Sequence, residues 1–424
     1  MHPRTRTTIR VQQVLLSAIL LATSAGAWSQ APAGAAHPTI GTSTLGELFE
    51  AAWRLQPEAQ AVQARREAVQ AQRRAAEAWT PEPPAIEASH KTDRLTRNDG
   101  ARELEVGIAI PLWLPGEQRG ATALADAEAA ALESRAGAAR LRLAATVREA
   151  WWNWQRAGIE VEVARAQLDS AKRIAGDVAR RAKAGELARA DQHQADGAVA
   201  AAEAGLAQAE AGATAAVLQL KSLTGASKEP APAAVAVAEP EPIPTDAQAH
   251  PTLTELANRA AVAERSAALA ATQSRANPEL TLATTRDRGA SGERYGQTVT
   301  LAVRIPFGGG PRHDAKVASA RAEAVEAQAQ LALDRARLQS ERAAARARVD
   351  ATRAQLAAAE RRAALARETR GFFEKSFRLG ETDLPTRLRI EAEATEAERQ
   401  SARSRIELAA AISAWRQALG LLPQ

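Results

Sequence analysis

Two stretches of this chain alternate apolar and polar residues, and each runs directly into a long segment with a helical composition. In RELEVGIAI, Leu104, Val106, Ile108 and Ile110 share one face with Arg102 at its far end, and Glu103 and Glu105 lie opposite. In TVTLAVRI, Val299, Leu301, Val303 and Ile305 share a face, and Thr298, Thr300 and Arg304 take the other. A period of two predicts strands with one apolar side. After LPGEQRG and GGGPR the sequence becomes rich in Ala, Arg, Glu and Gln, free of Pro for about sixty residues, which predicts very long helices. At 1.5 Å per residue such a helix extends roughly 100 Å.

The pattern occurs twice at a fixed distance. Ile110-Pro111 matches Ile305-Pro306, Gly185-Glu186 matches Gly380-Glu381, and LKSLTG ending at Gly225 matches WRQALG ending at Gly420. The differences 305 − 110, 380 − 185 and 420 − 225 all equal 195, so the chain holds two copies of one structural unit. The first repeat covers 28–225, with a β-hairpin at about 85–110 and helices at about 117–184 and 187–224. The second covers 251–424, with a hairpin at about 279–305 and helices at about 311–379 and 384–420. Lead-in helices are expected at about Leu45–Trp79, with a break at Pro57, and at about Pro251–Ala276. Residues 226–250 are rich in Pro and read as a linker. Gly185 and Gly380 suit left-handed helix ends.

A helix this long needs partners. Steps of seven give one seam through Leu124, Ala131, Ala138, Ala145, Trp152, Ile159 and Ala166, and a second through Ala129, Ala136, Leu143, Ala150, Ala157, Ala164, Ala171 and Val178. Seams on nearly opposite sides suit a helix in a wall with a neighbour on each flank. The second long helix repeats a seam in Val317, Ala324, Leu331, Leu338, Ala345, Ala359, Ala366 and Phe373.

Composition sharpens this picture. Of 424 residues 46% are hydrophobic but 3% aromatic, which favours long helices with small interfaces over a globular core. There is no Cys, so disulfides, thiolate metal sites and cysteine-linked lipids are excluded. Arg4, Arg6 and Arg10 precede an apolar run from Val14 to Leu21 and the triplet Ala25-Gly26-Ala27, the pattern of a secretory signal peptide at 1–27. Its removal lowers the formal charge from +5 to +2, so the precursor's charge does not argue for nucleic acid. His2, His37, His90, His193, His250 and His313 are scattered without metal-ligand spacing, and no catalytic, cofactor or metal constellation is present. Trp151, Trp152 and Trp154 read as a packing cluster. Trp79 and Trp113 flank the first hairpin where an interfacial belt would sit.

For a chain that leaves the cytoplasm, strands of about ten residues with one apolar face suit a membrane barrel. Four strands cannot close one, and open edges in lipid are costly, so the chain must share its barrel with copies of itself. The duplicated hairpin and long helix, the Ile-Pro pairs, Asn277-Pro278, the Gly-Glu tips and the Leu-Thr-Gly and Ala-Leu-Gly helix ends resemble the TolC family of outer-membrane efflux proteins. The short IPLWLPGEQRG junction is most similar to its heavy-metal efflux branch. The resemblance implies a mainly α fold with a small β part, in which three chains form a twelve-stranded barrel continued by a helical tunnel. It implies an outer-membrane location with a long periplasmic extension, no enzymatic activity and no cofactor. As partners it implies outer-membrane lipid, a periplasmic adaptor and an inner-membrane pump of the RND type, with metal cations among the cargoes. A periplasmic adaptor or a secreted structural coiled coil are the alternatives.

The resemblance also assigns residues. Leu104, Val106, Ile108, Ile110, Val299, Leu301, Val303 and Ile305 are expected to face lipid. The periplasmic tips, where adaptor contact and gating belong, are expected at Gly185, Glu186, Leu187 and Asp191 and at Gly380, Glu381, Thr382 and Asp383. Six residues after Gly185 stands Asp191, but six after Gly380 stands Thr386, with Arg387 and Arg389 nearby. An acidic ring at the mouth would then draw on Glu381 and Asp383.

Overall fold

A computed structural model describes residues 44–225, 238–243, 250–308 and 310–424. The signal peptide at 1–27 and most of the linker at 226–250 lie outside the described residues. The elements follow the order α1 (Leu45–Leu55), α2 (Pro57–Ala76), β1 (Ala85–Thr92), β2 (Arg102–Pro111), α3 (Glu117–Lys183) and α4 (Arg189–Thr224). The second half continues with α5 (Pro251–Thr272), β3 (Glu279–Arg288), β4 (Gly296–Arg304), α6 (Gly310–Arg378) and α7 (Leu384–Ala418).

Local sequence accounts for the boundaries. Thr44 and Glu47 form a reciprocal capping box at the start of α1, Thr44 Oγ1 accepting from Glu47 N at 3.2 Å and Glu47 Oε2 from Thr44 N at 3.0 Å. Pro57 interrupts the lead-in by opening α2 at its first turn, where a missing N–H costs nothing.

The four strands make one antiparallel sheet in the order β1-β2-β3-β4. All the helices lie beyond one end of it. The long helices α3 and α6 run unbroken through the helical part, each 67 or 69 residues. Near the sheet α3 packs with α2 and α5, and α6 with α5; towards the far end α3 packs with α4 and α7, and α6 with α7. The shorter helices meet near the middle. Gly225 at the end of α4 sits so close to α1 that a methyl group there would lie 2.8 Å from Leu55 Cδ1, and one at Gly420, after α7, would lie 2.7 Å from Pro251 Cδ at the start of α5.

This middle level holds the largest apolar cluster, built from Leu48, Phe49 and Ala52 of α1, Val147, Trp151, Trp152 and Trp154 of α3, Leu220 of α4 and Ile406 of α7. Trp151 and Trp154 pack with ring centroids 5.0 Å apart. Beside it lies a charged knot. Glu239 accepts from Arg148 Nη2 at 2.8 Å and Nε at 2.9 Å, from Arg416 Nε at 3.2 Å, and from Ser413 Oγ, with the side chains of Glu239, Arg148 and Arg416 at most 5% exposed. The segment read as a linker is therefore anchored at Glu239. The carboxylate joins α3 of the first repeat to α7 of the second.

The seam through Leu143, Ala150, Ala164 and Val178 is covered within the chain, and the other is mixed, buried at Ala138 and Trp152 but exposed at Ala145 and Ala166. The α6 seam is buried at Val317, Ala324, Leu338 and Ala359. No described helix is long and apolar enough to cross a membrane.

Candidate functional site

The sheet separates its two faces by chemistry. Register places Ile86, Ile108, Leu282 and Leu301 in one row across all four strands, with Ala88, Val106, Thr284 and Val299 in the next and Ile110, Leu280 and Val303 on the other side. These side chains project outward, Leu104, Val106 and Ile108 being 49%, 43% and 46% exposed while Gly107 and Ala109 between them are buried. Ile305 continues the face just past β4 and is exposed too. The opposite face is crowded at its centre, for a methyl group on Gly107 would come within 2.9 Å of Ala283 Cβ. It carries Glu87, Glu103, Glu105, Glu279 and Asp287 against Lys91 and Arg304, the cations paired with Glu103 and Glu279. β1 and β4 are edges with no partner strand among the described residues.

The strand-to-helix join is built around a buried carboxylate. Gly116 adopts φ 84°, which turns the chain from β2 into α3. Glu117 is 2% exposed and accepts from Leu114 N at 3.0 Å, Asn277 Nδ2 at 2.8 Å and Gln273 Nε2 at 2.8 Å, so it ties the first join to the start of the second hairpin. Trp113 Nε1 donates to Ala78 O at 3.0 Å, while Trp79 stands 81% exposed.

At the far end, both long helices reverse through the same bonds. Gly185 has φ 82° and Gly380 has φ 78°. Glu186 N donates to Arg181 O and Glu381 N to Ser376 O, each at 3.0 Å. Such a six-residue closure satisfies the last carbonyls of a helix. Leu187 packs with Ile174, Val178, Phe377 and Leu384 in a small cluster that joins the two tips. Ser376 Oγ lies 2.6 Å from Thr382 Oγ1 and 3.4 Å from Glu381 Oε2.

The acids of the tips have a task the sequence did not reveal. Asp191 turns its carboxylate back onto Ala188 N at 3.1 Å, three residues upstream at the start of α4. In the second tip the position equivalent to Ala188 is Asp383, whose carboxylate accepts from Thr386 N at 3.2 Å, and Thr386 is the equivalent of Asp191. The two repeats have thus exchanged the capping acid between the two ends of one hydrogen bond. Hydrogen bonds from Thr386 hold the Asp383 carboxyl below the usual carboxylate range.

Between α3, α6 and α7, just above the tips, lies a cleft of about 500 Å³. Glu391 is its hub, accepting from Arg387 at 2.8 Å and Ser170 at 2.6 Å, with Arg370 3.7 Å away. No spacing rule singles out Glu391 in a helix so rich in Glu. No group of acidic and His residues able to hold a metal is found among the described residues.

Residues 48–226 match the model of a family described as outer membrane efflux protein. Over these residues the chain is similar to that family. The fold is TolC-like. The outer-membrane protein VceC of Vibrio cholerae aligns with a TM-score of 0.69 at 21% identity, over 89% of this chain and 96% of that one. CusC aligns with a TM-score of 0.73 at 16% identity, over 89% and 92%. The Campylobacter jejuni channel CmeC aligns with a TM-score of 0.72 at 16% identity, over 89% and 85%. No match was found among curated protein sequences.

Proposed function

We propose that the mature chain acts as a homotrimer, the outer-membrane channel of a tripartite efflux system. It passes substrates delivered by an RND-type inner-membrane pump and a periplasmic adaptor to the exterior. The observation that carries this reading is the four-stranded sheet with one apolar face and two unpaired edges. In lipid each unpaired backbone group costs several kcal/mol, and closure with neighbouring copies removes the cost. Leu365 and Phe372 on α6 and Leu379 just past its end, exposed at intervals of seven, supply a further seam for a neighbouring copy.

Leu104, Val106, Ile108, Ile110, Val299, Leu301, Val303 and Ile305 take the lipid-facing role. Gly185, Glu186, Leu187, Asp191, Gly380, Glu381, Thr382 and Asp383 form the mouth that meets the adaptor and opens. Metal cations are the cargo this reading favours, because the polar sheet face carries five carboxylates against two cations. Cross-linking with mass measurement in detergent tests the assembly, and conductance in planar bilayers tests the channel. A stable detergent-soluble monomer that conducts nothing would overturn the reading.

A further inference from the structure

On the outward sheet face, the apolar rows stop abruptly at the hairpin end, and arginines begin. Arg286 stands opposite Leu104, and Arg288 opposite Arg102, one row further out. From Ile110 to Leu104 the apolar band follows about 20 Å of strand, and Arg102 lies about 7 Å beyond, at the depth of headgroups if the band fills the hydrocarbon. Tyr295 sits at the same level, with the guanidinium of Arg286 4.6 Å and that of Arg288 5.1 Å from its ring centroid. A tyrosine at this depth suits an interfacial belt.

The arginines lack counter-charges. Arg102, Arg286 and Arg288 form no ion pair among the described residues; Arg288 Nε donates to Gly100 O at 3.0 Å, which leaves its terminal nitrogens free. Two loop carboxylates nearby, Asp93 and Glu293, are occupied with their own loops. Asp93 accepts from Gly100 N at 3.1 Å, and Glu293 accepts from Gly289 N and Ala290 N at 3.0 Å. Three adjacent like charges repel one another unless an anion lies between them. All three belong to the central strands β2 and β3, so a neighbouring copy joined at β1 or β4 would not cover them.

We propose that Arg102, Arg286 and Arg288 form a binding site for the phosphate groups of an outer-leaflet lipid. The inference rests on the membrane-spanning reading above. A guanidinium offers paired donors that match a phosphate, and the acyl chains of the same lipid would lie along Leu104, Val106 and Ile108. Headgroup and chain are thus held by consecutive rows of one face.

The test uses the full mature trimer in nonionic detergent with fluorescent lipid A carrying both phosphates, and its dephosphorylated form. Charge-assisted hydrogen bonds predict about tenfold tighter binding of the phosphorylated lipid. The triple variant R102Q/R286Q/R288Q should lose that preference, and Arg286→Gln alone should weaken it by about threefold. Arg304→Gln, on the opposite face, should keep it. Inorganic phosphate at equal concentration should not displace the lipid; displacement would indicate a free-anion site and overturn the proposal. Equal binding of the two lipids, or an undiminished preference in the triple variant, would overturn it as well. Conductance of the same preparations in planar bilayers separates the two readings, since a conducting trimer without phosphate preference removes this inference alone.

Discussion

Arg181, near the end of the first long helix, donates Nη1 to Phe377 O on the second at 2.9 Å and lays its guanidinium 4.9 Å from the Phe377 ring centroid. Its Nε meets Glu186 at 3.0 Å. One side chain therefore links both tips of the protein. Arg181→Ala removes a hydrogen bond and a cation–π contact, together about 1 to 2 kcal/mol. If the tips gate the channel, the open fraction should rise about tenfold with trimer yield unchanged. Single-channel recordings identical to the parent would place the gate elsewhere.

Gly185 and Gly380 occupy a conformation closed to proline, whose φ is fixed near −65°. Gly185→Pro or Gly380→Pro should abolish efflux. The trimer should still assemble, because the sheet lies up to about 100 Å away along the helices. Complementation of efflux measured beside trimer yield distinguishes the two effects.

Arginine at Val106, Ile108, Leu301 or Val303 should destabilise the inserted protein by about 2 to 4 kcal/mol if the site lies near the membrane midplane. Glu105 and Thr300, on the other face, should accept the same change. Unfolding in lipid vesicles measures both, and equal sensitivity of the two faces would contradict a lipid-facing assignment.

Glu239→Ala would leave Arg148 and Arg416 buried without their carboxylate. The cost of breaking a buried pair is about 3 to 5 kcal/mol. Thermal unfolding should show a large loss for Glu239→Ala and a smaller one for Glu239→Gln, which keeps acceptor and shape. A negligible loss in Glu239→Ala would mean that water reaches the knot.

His250 caps α5, its Nδ1 accepting from Thr252 N at 3.3 Å, which requires that nitrogen to be unprotonated. Burial, and then the charge of Arg342, push its pKa below the ordinary histidine value, opposed in part by a hydrogen bond with the Gln417 backbone. The unfolded chain then takes up a proton at a higher pH than the folded one. Stability is full above the unfolded value near 6.5 and falls as pH drops from there through the folded value. His250→Asn keeps a capping acceptor without titrating, and should flatten that acid-side loss in unfolding curves recorded from pH 7.5 to 5.

The architecture was legible because it rests on periodicity. Alternation at Leu104–Ile110 and Val299–Ile305, the switch to helical composition at Glu117, and the constant offset of 195 are features of the chain alone. What escaped depends on contacts distant in sequence. Glu239 lies in a Pro-rich stretch that read as a linker, and its burial follows from Arg148 and Arg416, 91 residues before it and 177 after it. Glu391 is one glutamate among many on α7, distinguished by Ser170 and Arg370 on other helices. Asp191 is expected at the tip, and the capping bond it adds there depends on its proximity to the unsatisfied N–H of Ala188.

The two long helices are continuous, while their shorter companions stop and restart at Gly225 and Gly420. Mechanically the chain is a pair of beams stiffened by jointed splints. The joints are tight, because only a glycine at 225 or 420 leaves room for Leu55 or Pro251, and the apolar cluster and the Glu239 knot brace the same level. The glycines at the joints set where each splint ends, so lengthening the reach of such a protein would require inserting residues in register on both sides of the joint rather than extending the tips.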